Sequence, residues 1–236
     1  MSEQESLLIS VHMPKTGGLS FRAMLEQHYG EAFKHDYQDY PLAHAPKARH
    51  RHVYSEALAQ SVAASRGVNC IHGHFLPAKY LLLADERPCT FVTWLRHPVE
   101  RLLSHYDYWQ RVYEQGSPLV SPLHERVISE KWSLEAFCLA PELANVYSAF
   151  LWGFPVSRLN FVGITEFFAE DFRYFCQRFL GNSAAVPTVN QRPGGKSSTA
   201  LSLSISDITA VETCHAQDMA LYRRALERRQ WRLGGV

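Results

Sequence analysis

Apolar residues along the chain fall into short unbroken runs and longer runs with a helical period. Leu7-Leu8-Ile9-Ser10-Val11 is a run of strand length, and a glycine-containing loop separates it from a helical pattern with Phe21, Met24, Leu25 and His28 on one face. Residues 68–72 and 89–95 repeat the strand pattern. Pro98 then opens a long amphipathic helix to about Glu114, at a first-turn position that tolerates proline. Beyond a Pro/Ser loop at 117–122, shorter helical patterns cover 133–140 and 142–151. Asn160-Phe161-Val162-Gly163 is a fourth strand leading into a helix over 166–180, and Ser204 to Asp207 carries a capping signature for a last helix to about Arg232. Residues 31–66 and 181–204 read as irregular excursions. Strands alternating with helices predict one α/β domain over 1–236, layered around a central, mainly parallel sheet.

Composition narrows the possible partners. The chain has 24 Lys+Arg against 23 Asp+Glu, which excludes a broadly basic surface for nucleic acid and leaves anion binding to local clusters. An acidic, polar start and the lack of any apolar run of membrane-spanning length predict a chain without signal peptide or anchor. Five widely spaced cysteines without a CxxC pair suit free thiols in a reducing cytoplasm.

Two strand-to-helix junctions carry anion-binding chemistry. In the first, Gly17 and Gly18 allow backbone N–H groups to line a concavity, Lys15 supplies a cation, and Thr16 and Ser20 add hydroxyls; Leu19 lies between them. A tight turn capped by Ser or Thr fits the same residues. The order is not that of a Walker A loop, because Lys15 precedes both glycines. In the second, Arg96 ends a strand and Ser104 follows on the helix opened by Pro98, so guanidinium and hydroxyl can close on one phosphate. Taken alone, the segment reads more readily as Arg96 tying the helix to the sheet edge with Ser104 on an exposed face; the first loop reverses that weighting.

His12-Met13-Pro14-Lys15-Thr16-Gly17-Gly18-Leu19-Ser20-Phe21 resembles the 5′-phosphosulfate loop, HxPKTGGTSF, of the PAPS-dependent sulfotransferases of carbohydrate type, departing within the loop only at Leu19. The second segment resembles that family's 3′-phosphate motif, RDPxxRxxSxY, at Arg96, Pro98, Arg101, Ser104 and Tyr106, with His97 where Asp is usual. His72-Gly73-His74-Phe75 looks like the HGH segment of uronosyl 2-O-sulfotransferases. Residues 160–166 resemble a "FVGxTE" strand end, and Asp218 to Tyr222 a "DxxLY" helix. The resemblance implies a fold like that of P-loop nucleotide kinases and PAPS as co-substrate. It puts Lys15 at the bridging oxygen of the phosphosulfate, and Arg96 and Arg101 among the cations converging on the cofactor. It also implies a loose match of the basic, glycine-containing stretch Arg192 to Lys196 to a closing loop, in which Arg192 and Lys196 contact the cofactor or substrate.

Sulfuryl transfer to an alcohol needs a base, and histidine has a suitable basicity. His74 is the candidate, with His72 in support. The HxH pairs His72/His74 and His50/His52 also suit a shared metal ion, but no carboxylate or cysteine stands nearby at a usual zinc spacing, so no metal is expected. The arginines at 223, 224, 228, 229 and 232 read as a solvated basic face. The expected protein is a cytoplasmic sulfotransferase acting on a hydroxyl of a glycan or small metabolite, without nucleic-acid or integral-membrane partners. A nucleotide-dependent kinase of related topology and a non-catalytic nucleotide- or carbohydrate-binding module are the alternatives.

Overall fold

The computed structural model describes residues 6–39, 45–60, 62, 65–117, 120–182 and 203–234. Its centre is a five-stranded parallel sheet, built from β1 (Leu7–Val11), β2 (Phe33–His35), β3 (Cys70–Gly73), β4 (Cys89–Leu95) and β5 (Leu159–Ile164), in the order β2-β3-β1-β4-β5. Every residue of β1 is buried, as expected for a strand covered on both faces. Leu7, Ile9 and Val11 point to one face with Ile71, Phe91 and Leu95; Leu8 points to the other with Cys70, Val92 and Trp94.

The helices divide accordingly. On the Leu8 face lie α1 (Gly18–Tyr29) and α8 (Phe168–Phe175), which contribute Phe21, Leu25, Phe172 and Phe175. The opposite face is covered by α3 (Leu81–Glu86), α7 (Val146–Phe150) and α10 (Ala216–Gly234). Beyond the sheet, α4 (Pro98–Val112), α5 (Pro122–Ser129), α6 (Leu134–Leu139) and α9 (Ile205–Cys214) enclose a third cluster around Leu102, Val127, Phe137 and Val211. The three-layer α/β architecture expected from the apolar pattern therefore forms. No described helix is long and apolar enough to cross a membrane.

Three departures have physical causes. The stretch expected to be irregular at 31–66 contains β2 and a 14-residue helix, α2 (Pro46–Ala59). Only Arg49, Val53 and Ala57 of α2 are buried, so it lacks the apolar stripe that marks a helix in sequence. The expected last helix is two, α9 and α10, parted at His215, whose Nε2 donates to Cys138 O at 2.8 Å while its Nδ1 accepts from Asn145 N at 3.4 Å. The predicted capping box of Ser204 and Asp207 is formed.

The C-terminal arginines are also not simply a solvated face. Arg228 donates to Leu159 O at 2.9 Å and Arg232 to Val162 O at 3.3 Å, which occupies carbonyls on the outer edge of β5. Arg229 and Arg232 both pair with the buried Asp171, whose other oxygen accepts from Ile164 N at 2.8 Å. The helix is thereby fastened to the sheet edge.

Polar interactions also fix the chain around the end of β3. Lys79, 1% exposed, places Nζ 2.6 Å from Asp36 and 2.8 Å from Asp39, and Tyr80 donates to Asp36 at 2.6 Å. His52 of α2 lies 2.9 Å from Asp39. Removing one partner from a buried pair strands the other charge. Lys79→Met is therefore expected to destabilise the fold by about 3 to 5 kcal/mol in urea titrations at neutral pH. A loss below about 1 kcal/mol, the range of exposed pairs, would contradict this account of the network.

Candidate active site

In a parallel sheet the carboxyl ends of the strands emerge along one edge, where open α/β folds bind ligands. After β1 the chain turns through residues 12–17 into α1. Lys15 and Gly17 take left-handed backbone angles, φ 66° and 82°, to make this turn. Gly17 caps α1 with no side-chain hydrogen bond, so the first-turn N–H groups are not capped by a side chain, and they carry the positive end of the helix dipole. Thr16 turns inward, its Oγ1 donating to Met13 O at 2.8 Å; Gly18 and Ser20 are buried and Leu19 is exposed.

After β4 the chain turns at Arg96 and His97 into α4, again with no side-chain cap. Arg96 is fixed through its backbone: its N–H donates to the Tyr147 hydroxyl at 3.1 Å, and that hydroxyl donates to Arg96 O at 2.7 Å. The guanidinium lies 3.3 Å from Glu100, an i,i+4 pair on a partly exposed surface and hence a weak one. Ser104 is half-buried one turn before Tyr108. The Lys15 Nζ lies 3.9 Å above the Tyr108 ring, so the loop after β1 reaches the face of α4 that carries Ser104.

The two loops are joined by one side chain. Thr165, at the end of β5, donates its hydroxyl toward both Thr16 O at 2.9 Å and Leu95 O at 3.0 Å. Its neighbour Glu166 accepts from His97 N at 2.7 Å, and the Tyr222 hydroxyl is hydrogen-bonded to Glu166. Asp218 caps α7 by accepting from Tyr147 N and Ser148 N, both at 2.9 Å. Residues 165, 166, 218 and 222 were visible in sequence only as parts of motifs; here they brace the loops.

Beside them, at the end of β3, stand three imidazoles. His74 donates from Nδ1 to His12 O at 2.6 Å, which fixes the tautomer and makes Nε2 the acceptor nitrogen. The His12 ring stacks on His74 at 4.4 Å and on His72 at 5.0 Å, and the Tyr37 ring stands edge-on to His74 at 5.0 Å. Burial lowers His74 to about 4, opposed by its bond to the His12 carbonyl. His12 is held well below the ordinary range by burial and then by His74, His72, Arg22 and Lys15. His105 on α4 is likewise held well below the ordinary range, by burial and then by Arg101, Lys15, His124 and His74.

Several expected members stand elsewhere. His72 is 1% exposed, points into the α1 side of the sheet and is bonded through Nδ1 to Ser10 Oγ at 2.8 Å, so it cannot reach an acceptor to assist His74. Arg101 is fully buried, its guanidinium 5.6 Å from the ring of Tyr147, whose hydroxyl holds the Arg96 backbone. His50 and His52 lie on a helix: His50 stacks on Trp152 at 3.4 Å, and His52 turns to Asp39. Among the described residues no three His, Cys, Asp or Glu side chains gather as a metal site. Arg192 and Lys196 lie outside the described residues. Residues missed in sequence are His12, Tyr37, Tyr108 and Tyr147, of which only His12 falls within a recognised motif.

No protein-family model matches the chain, and no curated protein matches it in sequence. Among solved structures, the chain is similar to a sulfotransferase from Alicyclobacillus acidocaldarius, at 19% identity and a TM-score of 0.46, over 92% of this chain and 93% of that one. It is also similar to mouse sulfotransferase SULT7A1 complexed with PAP, at 11% identity and a TM-score of 0.37, over 89% of this chain and 63% of that one. Both likenesses are distant in sequence and loose in geometry.

Keeping imidazoles neutral makes stability depend on pH. Burial, then His74, Arg22 and His35, lowers His72 to about 3, and His74 is lowered to about 4, so between these values and the unfolded value of about 6.5 the unfolded chain binds more protons. Their contribution is complete above about 6.5 and falls with acidification by about 1.4 kcal/mol per pH unit for each group. Urea titrations across this window should show the decline, and His72→Gln should flatten it; an equal slope in that variant would exclude His72 as a source.

Proposed function

We propose that the chain transfers the sulfuryl group of PAPS to a hydroxyl of a carbohydrate or small metabolite. The observation that carries this reading is the pair of helix N-termini without side-chain caps, joined through Thr165, with the acceptor nitrogen of His74 beside them. Two neighbouring anion sites suit the two phosphates of an adenosine 3′,5′-bisphosphate skeleton better than they suit one isolated anion. The sequence resemblance supports the same assignment.

The residues fit such a co-substrate. Lys15, the Ser20 hydroxyl, and the backbone of Thr16, Gly17, Gly18 and Leu19 would hold the 5′-phosphosulfate, the Thr16 hydroxyl being turned inward to Met13 O; Arg96 and Ser104 would hold the 3′-phosphate. Arg192 and Lys196, outside the described residues, complete the proposal as further cations for the co-substrate. PAPS supplies an activated sulfuryl group. His74 takes the proton of the acceptor hydroxyl at Nε2, while its Nδ1–H stays on the His12 carbonyl and keeps the ring oriented. Lys15 and the first-turn N–H groups of α1 are preorganised donors for charge that develops on the leaving phosphate.

Calorimetry with adenosine 3′,5′-bisphosphate and with ATP, followed by transfer assays with labelled PAPS, tests the reading. The bisphosphate should bind more tightly than ATP; the reverse order would favour a kinase-like function. Binding without transfer to any of a broad set of acceptors would favour a binding module. Lys15→Ala should lower turnover by about 10²- to 10³-fold, the usual cost of one charge-stabilising donor. His74→Ala should lower it by about 10²- to 10⁴-fold. Ser104→Ala should weaken bisphosphate binding by about tenfold, as expected for one hydrogen bond to a charged group. Full turnover of His74→Ala would remove it as the base.

A further inference from the structure

We infer that His12 is a positioning residue that links the phosphate loop to the base at His74, an inference that rests on the sulfuryl-transfer reading. His12 follows β1 and extends its pairing with β3, since His12 N donates to Gly73 O at 2.8 Å. The same residue accepts the Nδ1 proton of His74 through its carbonyl. Its ring then folds back against the neighbouring elements. It lies 4.4 Å from the His74 ring at an interplanar angle of 21°, and 5.0 Å from the His72 ring at 27°.

The other edge of the ring meets the phosphate loop. A Cβ built on Gly18 would come within 1.8 Å of His12 Nε2, so Gly18 is a glycine because the imidazole occupies that space. Gly18 opens α1, so His12 is in contact with both the proposed anion site and the proposed base. Its Nδ1 is buried and makes no hydrogen bond to a described residue. Stacking and the contact with Gly18 therefore fix the ring. A displacement of the loop on anion binding passes through this ring to His74, and the ring also shields one face of His74 from water.

The test follows His74 itself by NMR, using imidazole-labelled protein and titrating the ring with and without adenosine 3′,5′-bisphosphate. In His12→Ala, water reaches the exposed face and the His74 midpoint should rise toward the ordinary value by about one pH unit. His12→Phe restores a flat ring and should recover most of the native midpoint. In the native protein the bisphosphate should raise the midpoint, through its charge and through the ring, and His12→Ala should lose the part carried by the ring, leaving a smaller rise. Should His12→Ala not fold, His12→Leu, which has bulk but no flat ring, takes its place.

An unchanged midpoint in the ring-less variant overturns the inference, as does a His12→Phe midpoint no closer to the native one than that of the ring-less variant. A full bisphosphate response without the His12 ring also overturns it. The function reading fails separately, if the native protein neither binds the bisphosphate nor transfers a sulfuryl group. In that case the midpoints of the unliganded protein still decide whether His12 positions His74.

Discussion

The parallel register of β1 with its neighbours β3 and β4 determines where every group of the site stands. Ser10 pairs with His72 on one side and Val92 on the other, and Val11 with Gly73 and Thr93. A slip of one residue would reverse the face of each side chain, placing Ser10 in the Leu7 cluster and breaking its bond to His72. Side chains reinforce the register where the strands end. Thr93 donates its hydroxyl to Val11 O at 2.8 Å, and Thr165 spans from the loop after β1 to the end of β4. The two loops proposed to bind anions are thus held together by the sheet and need no contact between their own side chains.

A near-neutral chain can build such a site because its charges are spent locally. Several arginines expected at the surface or at the cofactor lie within the structure. Arg229 and Arg232 neutralise the buried Asp171, Arg228 and Arg232 occupy β5 carbonyls, and Arg101 lies beneath Tyr147. What is left for the proposed anion site is a smaller set, Lys15 and Arg96, supplemented by two helix N-termini that add positive potential without adding to the net charge. Counting Lys and Arg against Asp and Glu cannot detect this contribution.

The strands, the long helices and both loops were legible in sequence because each is encoded locally, by apolar period, by proline and glycine, or by a capping residue. Helix α2 was not, since it is held by His52 against Asp39 and by a stack of His50 on Trp152, contacts between residues distant along the chain. The paired histidines show a second limit. Strand alternation would put His72 and His74 on one face, but β3 ends at Gly73, so only His72 obeys the strand's alternation and turns inward. His74 lies past the strand end, where its direction is set by the His12 carbonyl. No periodicity in the sequence carries that information, and the stacking role of His12 is hidden for the same reason.

Burial of His74 gives the proposed chemistry an order of events. A lone pair on an imidazole lowered to about 4 is available at neutral pH, yet its affinity for a proton is small because the ring is buried. Negative charge placed near an imidazole raises its basicity, because it favours the charged form. A polyanion in the two loops would therefore strengthen the base at the moment an acceptor proton has to be received, and its departure would return the ring to neutrality. Lys15 works in the opposite sense, opposing a proton on the neighbouring imidazoles when the loops are empty. A cationic loop and a buried base are then not in conflict, since burial keeps His74 neutral and bound anion would offset the charge of the loop.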